Sequence, residues 1–321
     1  MKLVVLIPAF NEEENIQKVI QSIPKKVLGV SEVKVLVVND GSTDKTMDMA
    51  MNGGAYRVVS HKKNLGVGAA FMTGIRNAIS MKADIVVAVD ADSQFDSNQI
   101  PELILPILNN QADVVIGSRF QNKKPKNIPR IKYLGNKIFT KIVSSLVQQK
   151  FTDTQTGFRA YSKEALLNIS VVSDFTYTQE VLIDLKFKGM QITEVPISVK
   201  YDDKRKSRVV KNIFKYSSKV LAILIRTLIF HRPIFSFAIL AGIFCGGGIL
   251  AKILTILDIF IVNASLSTGL IILGGVSFMM GIFASVVFRR QVFAEKDLRH
   301  YLENSDMLRL ENKSELNFPK L

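Results

Sequence analysis

From the first residues to about Tyr201, short and almost wholly apolar runs alternate with longer stretches whose apolar residues recur every three or four positions. Leu3–Ile7, Val33–Val38, Tyr56–Val59, Ile85–Val89 and Val114–Ile116 predict strands. Glu13–Ser22, Thr46–Asn52, Val67–Ser80 and Asn98–Leu108 predict the helices between them. Strands without polar alternation are buried on both faces, so the pattern is that of an α/β domain with a mostly parallel sheet and helices on both sides. This part is read as one domain, residues 1–207.

After Ser207 the pattern changes. Between Val209 and Ile229, apolar residues recur at 210, 213, 214, 220, 221, 224, 225 and 228, with Lys211, Lys215, Lys219 and Arg226 on the opposite face. That spacing predicts an amphipathic helix over 208–231 lying in a membrane interface, in preference to a soluble helix with a solvated cationic face. In 232–290, the runs 234–257 and 264–288 are each long enough to cross a bilayer, which takes roughly 20 apolar residues. Lys252 is the one charge in the first run, placed to snorkel or to face the second. Gly246-Gly247-Gly248 and Gly274-Gly275 would let two helices approach closely, within one chain or between copies in a homo-oligomer. The remainder, 291–321, is charged and expected to be partly disordered.

Charge sharpens this picture. With 42 Lys and Arg against 28 Asp and Glu, the 321-residue chain carries a net charge of +14, which suits a polyanionic partner. No Cys-His cluster or aromatic-rich basic module points to nucleic acid, and the basic residues gather near the apolar segments, so membrane lipid is the expected partner. The single cysteine, Cys245, lies in an apolar run, which excludes an internal disulfide and a thiolate zinc site. No signal-peptide pattern opens the chain. The link 258–267 has no Lys or Arg, whereas Arg232 precedes the hairpin and Arg289-Arg290 follows it. The positive-inside rule therefore predicts a multi-pass cell-membrane protein with its catalytic domain and both termini cytoplasmic.

Candidate chemistry collects where the predicted strands end. Asp90-Ala91-Asp92 closes the run Ile85–Val89, and open α/β sheets bind ligands along this edge. Two carboxylates this close repel unless a cation lies between them, and hard oxygen donors suit Mg²⁺ or Mn²⁺. A solvated turn would carry the same short motif, so the surroundings decide. Glu12 follows the first strand and is read as opening a helix, where it can bond a ribose or a base, or simply favour the helix dipole. Asp40, in Asn39-Asp40-Gly41-Ser42-Thr43-Asp44, can accept from a base N–H or a ribose hydroxyl; Ser42, Thr43 and Asp44 are read as caps of the next helix. Three acid-bearing loops on one edge predict a pocket for a polyol and a metal. A Walker sequence is absent, and Gly66-Val67-Gly68 lacks the third glycine of a dinucleotide fingerprint, Phe71 standing in its place; these glycines are read as packing a helix against the sheet.

Pro-Ala-Phe-Asn-Glu, Val-Asn-Asp-Gly-Ser-Thr-Asp and Asp-Ala-Asp-Ser-Gln, in this order, resemble family 2 glycosyltransferases of the GT-A fold. Within that family the chain is most similar to polyprenyl-phosphate glycosyltransferases of the dolichol-phosphate mannose synthase type. The resemblance implies that Pro8, Ala9, Asn11, Glu12 and Asp40 line a nucleotide pocket, and that Asp90, Asp92 and Gln94 hold the metal and diphosphate. It implies that Arg119 faces phosphate, that Gly157 and Arg159, in Thr156-Gly157-Phe158-Arg159, lie near sugar and acceptor, and that Glu180 is the acidic helix residue beside them. Arg205 and Lys206 would close over the diphosphate, or form a plain juxtamembrane charge cluster; Arg130 and Asn136 would stand near the acceptor. Asp92, Arg119 and Arg159 are the expected catalytic residues.

The stripe Ile131, Leu134, Ile138, Ile142 and Leu146 fits a membrane-interface helix and a core helix equally well. A phosphate acceptor is already anionic near neutrality and needs no strong general base; none of His61, His231 and His300 lies in a motif loop. The expectation is inverting transfer of one hexose from a nucleotide sugar, of the GDP-mannose or UDP-glucose type, to polyprenyl phosphate at the cytoplasmic membrane face. A processive synthase is disfavoured, since its Gln-x-x-Arg-Trp motif is missing and the chain has no Trp. Transfer to a glycan or another acceptor, and a non-enzymatic membrane scaffold, are the alternatives.

Overall fold

The structure is a computed structural model that describes residues 1–122, 125, 128–169, 177–199, 218, 221–222, 225–230, 232–257 and 263–315. It forms two compact units, Met1–Leu224 and Ile225–Leu321.

In the first unit the strands are β1 (Lys2–Ala9), β2 (Glu32–Asn39), β3 (Arg57–Ser60), β4 (Ile85–Ala88), β5 (Val114–Ser118), β6 (Arg159–Ser162) and β7 (Ile192–Pro196). They make one seven-stranded sheet in the order β3-β2-β1-β4-β6-β5-β7. β6 runs antiparallel to β4 and β5, and the other pairings are parallel. The helices are α1 (Ile16–Ser22), α2 (Thr46–Asn52), α3 (Val67–Ser80), α4 (Ile100–Leu108), α5 (Arg130–Val147), α6 (Lys163–Asn168) and α7 (Thr178–Phe187).

Side chains of a strand alternate between faces, and β1 shows the consequence. Val4 and Leu6 enter one core with Phe71, Ile75, Tyr161 and Val181; Leu3, Val5 and Ile7 enter the other with Ile16, Ile20 and Leu103. Each strand face is covered, so continuous apolar runs are what the sheet requires. At Gly74 α3 lies close against β1, where a Cβ would collide with the Leu6 side chain, and Gly68 is buried in the same helix. Gly66 instead adopts φ +99°, a left-handed value that starts the helix.

Helix α5 divides the two readings of its stripe. Ile131, Leu134 and Ile138 are exposed, whereas Ile142 and Leu146 pack against the core beside buried Val143 and Val147. Its N-terminal half presents an apolar face outward and its C-terminal half is a core helix.

The second unit contains α8 (Pro233–Ile256) and α9 (Ala264–Glu315), packed on one another, with residues 225–230 also helical. Pro233–Ile256 and Ala264–Phe288 are long and apolar enough to cross a membrane. Ile243, Ile249, Leu250, Ile272, Met279 and Phe283 all point outward. A soluble core helix would hide them, so this surface calls for an apolar surrounding. Lys252 is exposed near the end of α8, as a snorkelling side chain requires. Close approach of the two helices uses Gly248, Gly274 and Gly281; Gly246, Gly247 and Gly275 have nothing near them. Residues 291–315, expected to be partly disordered, continue α9 as helix. Most of the expected amphipathic helix at 208–231, and all of 205–208, lie outside the described residues.

Candidate active site at the carboxyl edge of the sheet

Ala9 and Asn39 stand opposite one another at the ends of β1 and β2, and β4 ends at Ala88, opposite Leu6, so that the residues following it run on towards the same edge. The loops after these strands therefore emerge together. β6 runs the other way, with Arg159 opposite both Ala88 and Ile116. Its antiparallel course delivers the preceding segment, Thr156-Gly157-Phe158, to the same edge.

The first two loops are tied by reciprocal bonds. Asn11 N–H donates to Ser42 Oγ (2.9 Å), and Thr43 N–H donates to Asn11 Oδ1 (2.8 Å). Glu12 N–H donates to Thr46 Oγ1 (2.8 Å), and Lys45 N–H to Glu13 Oε2 (2.9 Å). Ser42 and Thr43 thus join the loops instead of capping α2. Asp44 accepts from Thr46 N–H at 3.0 Å, and it also takes the Thr46 hydroxyl. Burial pushes the Asp44 carboxyl up, but these bonds outweigh it and hold the group below its usual range. Glu12 is buried and precedes its helix by a turn, its carbonyl accepting from Asn15 and Ile16. Asn39 is structural too, bonded to Ser60 and to the Ser42 N–H. Pro8 and Ala9 close β1 beside this knot, Pro8 half-buried and Ala9 buried.

Asp40 is buried at the end of β2 and is satisfied by the protein itself. His61 Nδ1 lies 2.7 Å from Oδ1, Leu65 N–H donates to Oδ1 at 2.9 Å, and Gly66 N–H donates to Oδ2 at 2.9 Å. The carboxylate meets the N-terminus of α3, where unsatisfied N–H groups and the helix dipole favour an anion.

Asp90 is half-buried beside Asp92. Burial, then the charge of Asp92, push its carboxyl up to about 7; the guanidinium of Arg119 pulls the other way without prevailing, and Glu12 adds to the rise. Gly157 lies against it: a Cβ there would stand 2.5 Å from Asp90 Oδ1 and 3.0 Å from Oδ2. Only glycine leaves room for that carboxylate. Within the motif Ser93 takes φ +60°, and Gln94 N–H donates to Asp92 Oδ1 at 3.1 Å. Two crowded carboxylates, one held near its protonated form, fit a hard divalent cation. Among the described residues no group of three or more metal-binding side chains converges. A cation here would draw its other ligands from water and the diphosphate, the usual arrangement for Mg²⁺.

The expected arginines are placed differently from one another. Arg119 forms a two-point ion pair with Asp153, Nε to Oδ2 at 2.6 Å and Nη2 to Oδ1 at 2.9 Å. Burial raises Asp153, but Arg119, with the Asn136 amide at 3.0 Å, holds its carboxyl below the usual range. Arg159 is fully buried, its guanidinium donating to the Thr178 carbonyl (2.6 Å) and the Thr154 carbonyl (2.8 Å). It braces the loop that carries Gly157, and its charge also acts on Asp90. Asn136 is likewise buried, its amide donating to Asp153 and its Oδ1 accepting from the Thr140 hydroxyl. Arg130 is exposed at the first turn of α5, and Glu180 is buried in α7. Arg205 and Lys206 are outside the described residues.

His61, Asp153 and Glu194 join this edge without having been expected. Glu194 of β7 accepts from the N–H groups of Thr152 and Asp153 (each 2.9 Å). Tyr177 stacks on Phe71, centroids 3.8 Å apart, and burial followed by the charge of Asp90 raises its hydroxyl. Asp153 stands six residues before Arg159 in a segment of mixed polarity; its pairing with Arg119 spans 34 positions and leaves no local signal.

The chain matches the model of a family described as "Glycosyl transferase family 2" over residues 4–169. It is 33% identical over 218 residues to a UDP-N-acetylglucosamine–dolichyl-phosphate N-acetylglucosaminyltransferase of Methanococcus voltae, covering 62% of this chain and 85% of that one. It is 30% identical to a dolichyl-phosphate beta-glucosyltransferase of Trichomonas vaginalis, over 72% and 74% of the two chains. Among solved structures it resembles glucosyl-3-phosphoglycerate synthase of Mycobacterium tuberculosis, crystallised with Mn²⁺, UDP and its product. There the TM-score is 0.56 at 24% identity, over 70% of this chain and 79% of that one, a likeness of fold.

Proposed function

The chain belongs to glycosyl transferase family 2 and is a glycosyltransferase, and we propose that it moves one hexose from a nucleotide sugar to a polyprenyl phosphate. The observation that carries this reading is the crowded pair Asp90 and Asp92 at the carboxyl edge of the sheet, in a chain that also has two outward-apolar helices. Relatives named as dolichyl-phosphate glycosyltransferases support the acceptor class. Transfer is proposed at the cytoplasmic face, in a single displacement with inversion at the anomeric carbon.

The residues divide the work. Glu12 and Asp40 bound the base and ribose end. Asp90 and Asp92 hold a divalent cation, Mg²⁺ or Mn²⁺, with Gln94 fixing Asp92 through its backbone. When bound, the cation neutralises the leaving diphosphate. Arg119 is held by Asp153 at the end of β5, where a preorganised guanidinium stabilises developing negative charge without reorganising. Arg130, Arg205 and Lys206 serve the acceptor phosphate. That phosphate is already an anion, so positioning and cationic neutralisation replace a general base.

The test is purified protein with Mg²⁺ or Mn²⁺, a panel of UDP- and GDP-sugars and polyprenyl phosphate, with lipid products separated by chromatography. One donor should label the lipid, and Asp92→Ala should lose at least about 100-fold in rate, the scale of losing a preorganised electrostatic group. Labelling of a glycan acceptor, with none of the lipid, would replace the acceptor reading.

A further inference from the structure

Asp40 has almost no hydrogen-bonding capacity left. A carboxylate offers roughly four acceptor directions, two on each oxygen. Oδ1 takes His61 Nδ1 and Leu65 N–H, and Oδ2 takes Gly66 N–H. One direction, on Oδ2, remains. The direction of the His61 bond is fixed chemically: an ionised carboxylate only accepts, so Nδ1 is the donor. Nε2 lies 2.9 Å from Thr73 Oγ1 on α3, and in the neutral ring it accepts from that hydroxyl. Thr73 thus holds the ring with Nδ1–H aimed at Asp40, and the His61 N–H is pinned to the Asn39 carbonyl at 2.9 Å. Asp40 is also buried, 3% exposed, so the acceptor direction left open on Oδ2 is the one available to a ligand.

Resting on the reading of Asp40 as part of the nucleotide pocket, we propose that the site selects a uracil-type base over guanine, with His61 as the positioning residue that sets the selection. Uracil presents one imino N–H, N3–H, which one acceptor direction satisfies. Guanine presents N1–H and the N2 amino group side by side, and a carboxylate reads that pair with both oxygens. Oδ1 is filled by His61 and Leu65, so one guanine donor would be buried unpaired. An unmade buried bond of this kind is what makes a polar site reject a close analogue. The donor is accordingly a uridine-diphosphate sugar.

Titration calorimetry of the full-length protein in detergent with Mn²⁺ tests this, using UDP and GDP as probes. The wild type should bind UDP at least tenfold more tightly than GDP. His61→Phe, which keeps a ring but removes the Nδ1 donor, should weaken UDP and narrow the UDP-to-GDP ratio. His61→Asn, whose amide can still donate to Oδ1, should restore part of the ratio, which a role in folding alone would not predict. Equal or tighter binding of GDP by the wild type overturns the base selection and leaves the glycosyltransferase reading standing. An unchanged ratio in His61→Phe overturns the role of His61. Failure of both nucleotides to bind overturns the pocket itself, and this inference with it.

Discussion

At the scale of single residues, the fold itself shifts the protonation of the site. Asp90 keeps its proton up to about pH 7 because burial and the charge of Asp92 disfavour the anion. In the unfolded chain an aspartate titrates near 3.9. Below about pH 4 both states are protonated and the carboxyl costs nothing. As pH rises from there to about 7, the unfolded chain gives up the proton first and the folded protein loses stability. Above about 7 the loss is complete, on the order of a few kcal/mol. Asp90→Asn removes the titration. In chelator, its melting temperature should exceed the wild type's by an amount that is small near pH 4.5 and grows towards pH 8, while activity is lost. A gap that does not change with pH would contradict this account. Ser93 and Asn11, with φ of +60° and +54°, store strain in the same loops.

At the scale of elements, five strands and four helices were legible because each carries a local run or periodicity of apolar residues bounded by polar loops. β6 and β7 were not. β6 is four residues, Arg-Ala-Tyr-Ser, and its first is a buried arginine that reads locally as surface. β7, Ile-Thr-Glu-Val-Pro, is short and mixed, and its Glu194 is spent on a loop 41 positions away in sequence. The acidic motif loops were legible as chemistry, since strand ends and carboxylates are both local features. Their partners were not: His61 reaches Asp40 across 21 positions and Arg119 reaches Asp153 across 34.

The hairpin shows the same limit. Five glycines were equivalent in sequence, yet only Gly248 and Gly274 of that set face the other helix. A Cβ at Gly274 would collide with Cys245 Sγ and stand 2.9 Å from the Ala241 carbonyl oxygen, whereas Gly275 has nothing near it. Forcing a large side chain into a packed contact costs about 1–3 kcal/mol. Gly274→Leu should therefore expose the single thiol, Cys245, and speed its alkylation by a membrane-permeant maleimide several-fold, while Gly275→Leu leaves the rate unchanged. Equal rates in the two variants would refute the assignment of the packed face.

At the scale of the whole molecule, charge and hydrophobicity act together on orientation. A net charge of +14 would draw the protein to anionic lipid headgroups, and two outward-apolar helices would hold it there. Retaining charged residues on one side of a bilayer is easier than translocating them, so the face of the link 258–267, without Lys or Arg, should be the one that crosses. Under the proposed function, this orientation would put the N-terminal unit in the compartment that holds nucleotide sugars. In a Cys245→Ser background, Ser265→Cys within the link and Ser80→Cys at the end of α3 are both exposed positions. An impermeant thiol reagent should label the first only from outside intact cells and the second only in inside-out vesicles. Labelling of both from one side would mean that the two helices enter the bilayer without crossing it, and the acceptor would then have to be met by a monotopic enzyme.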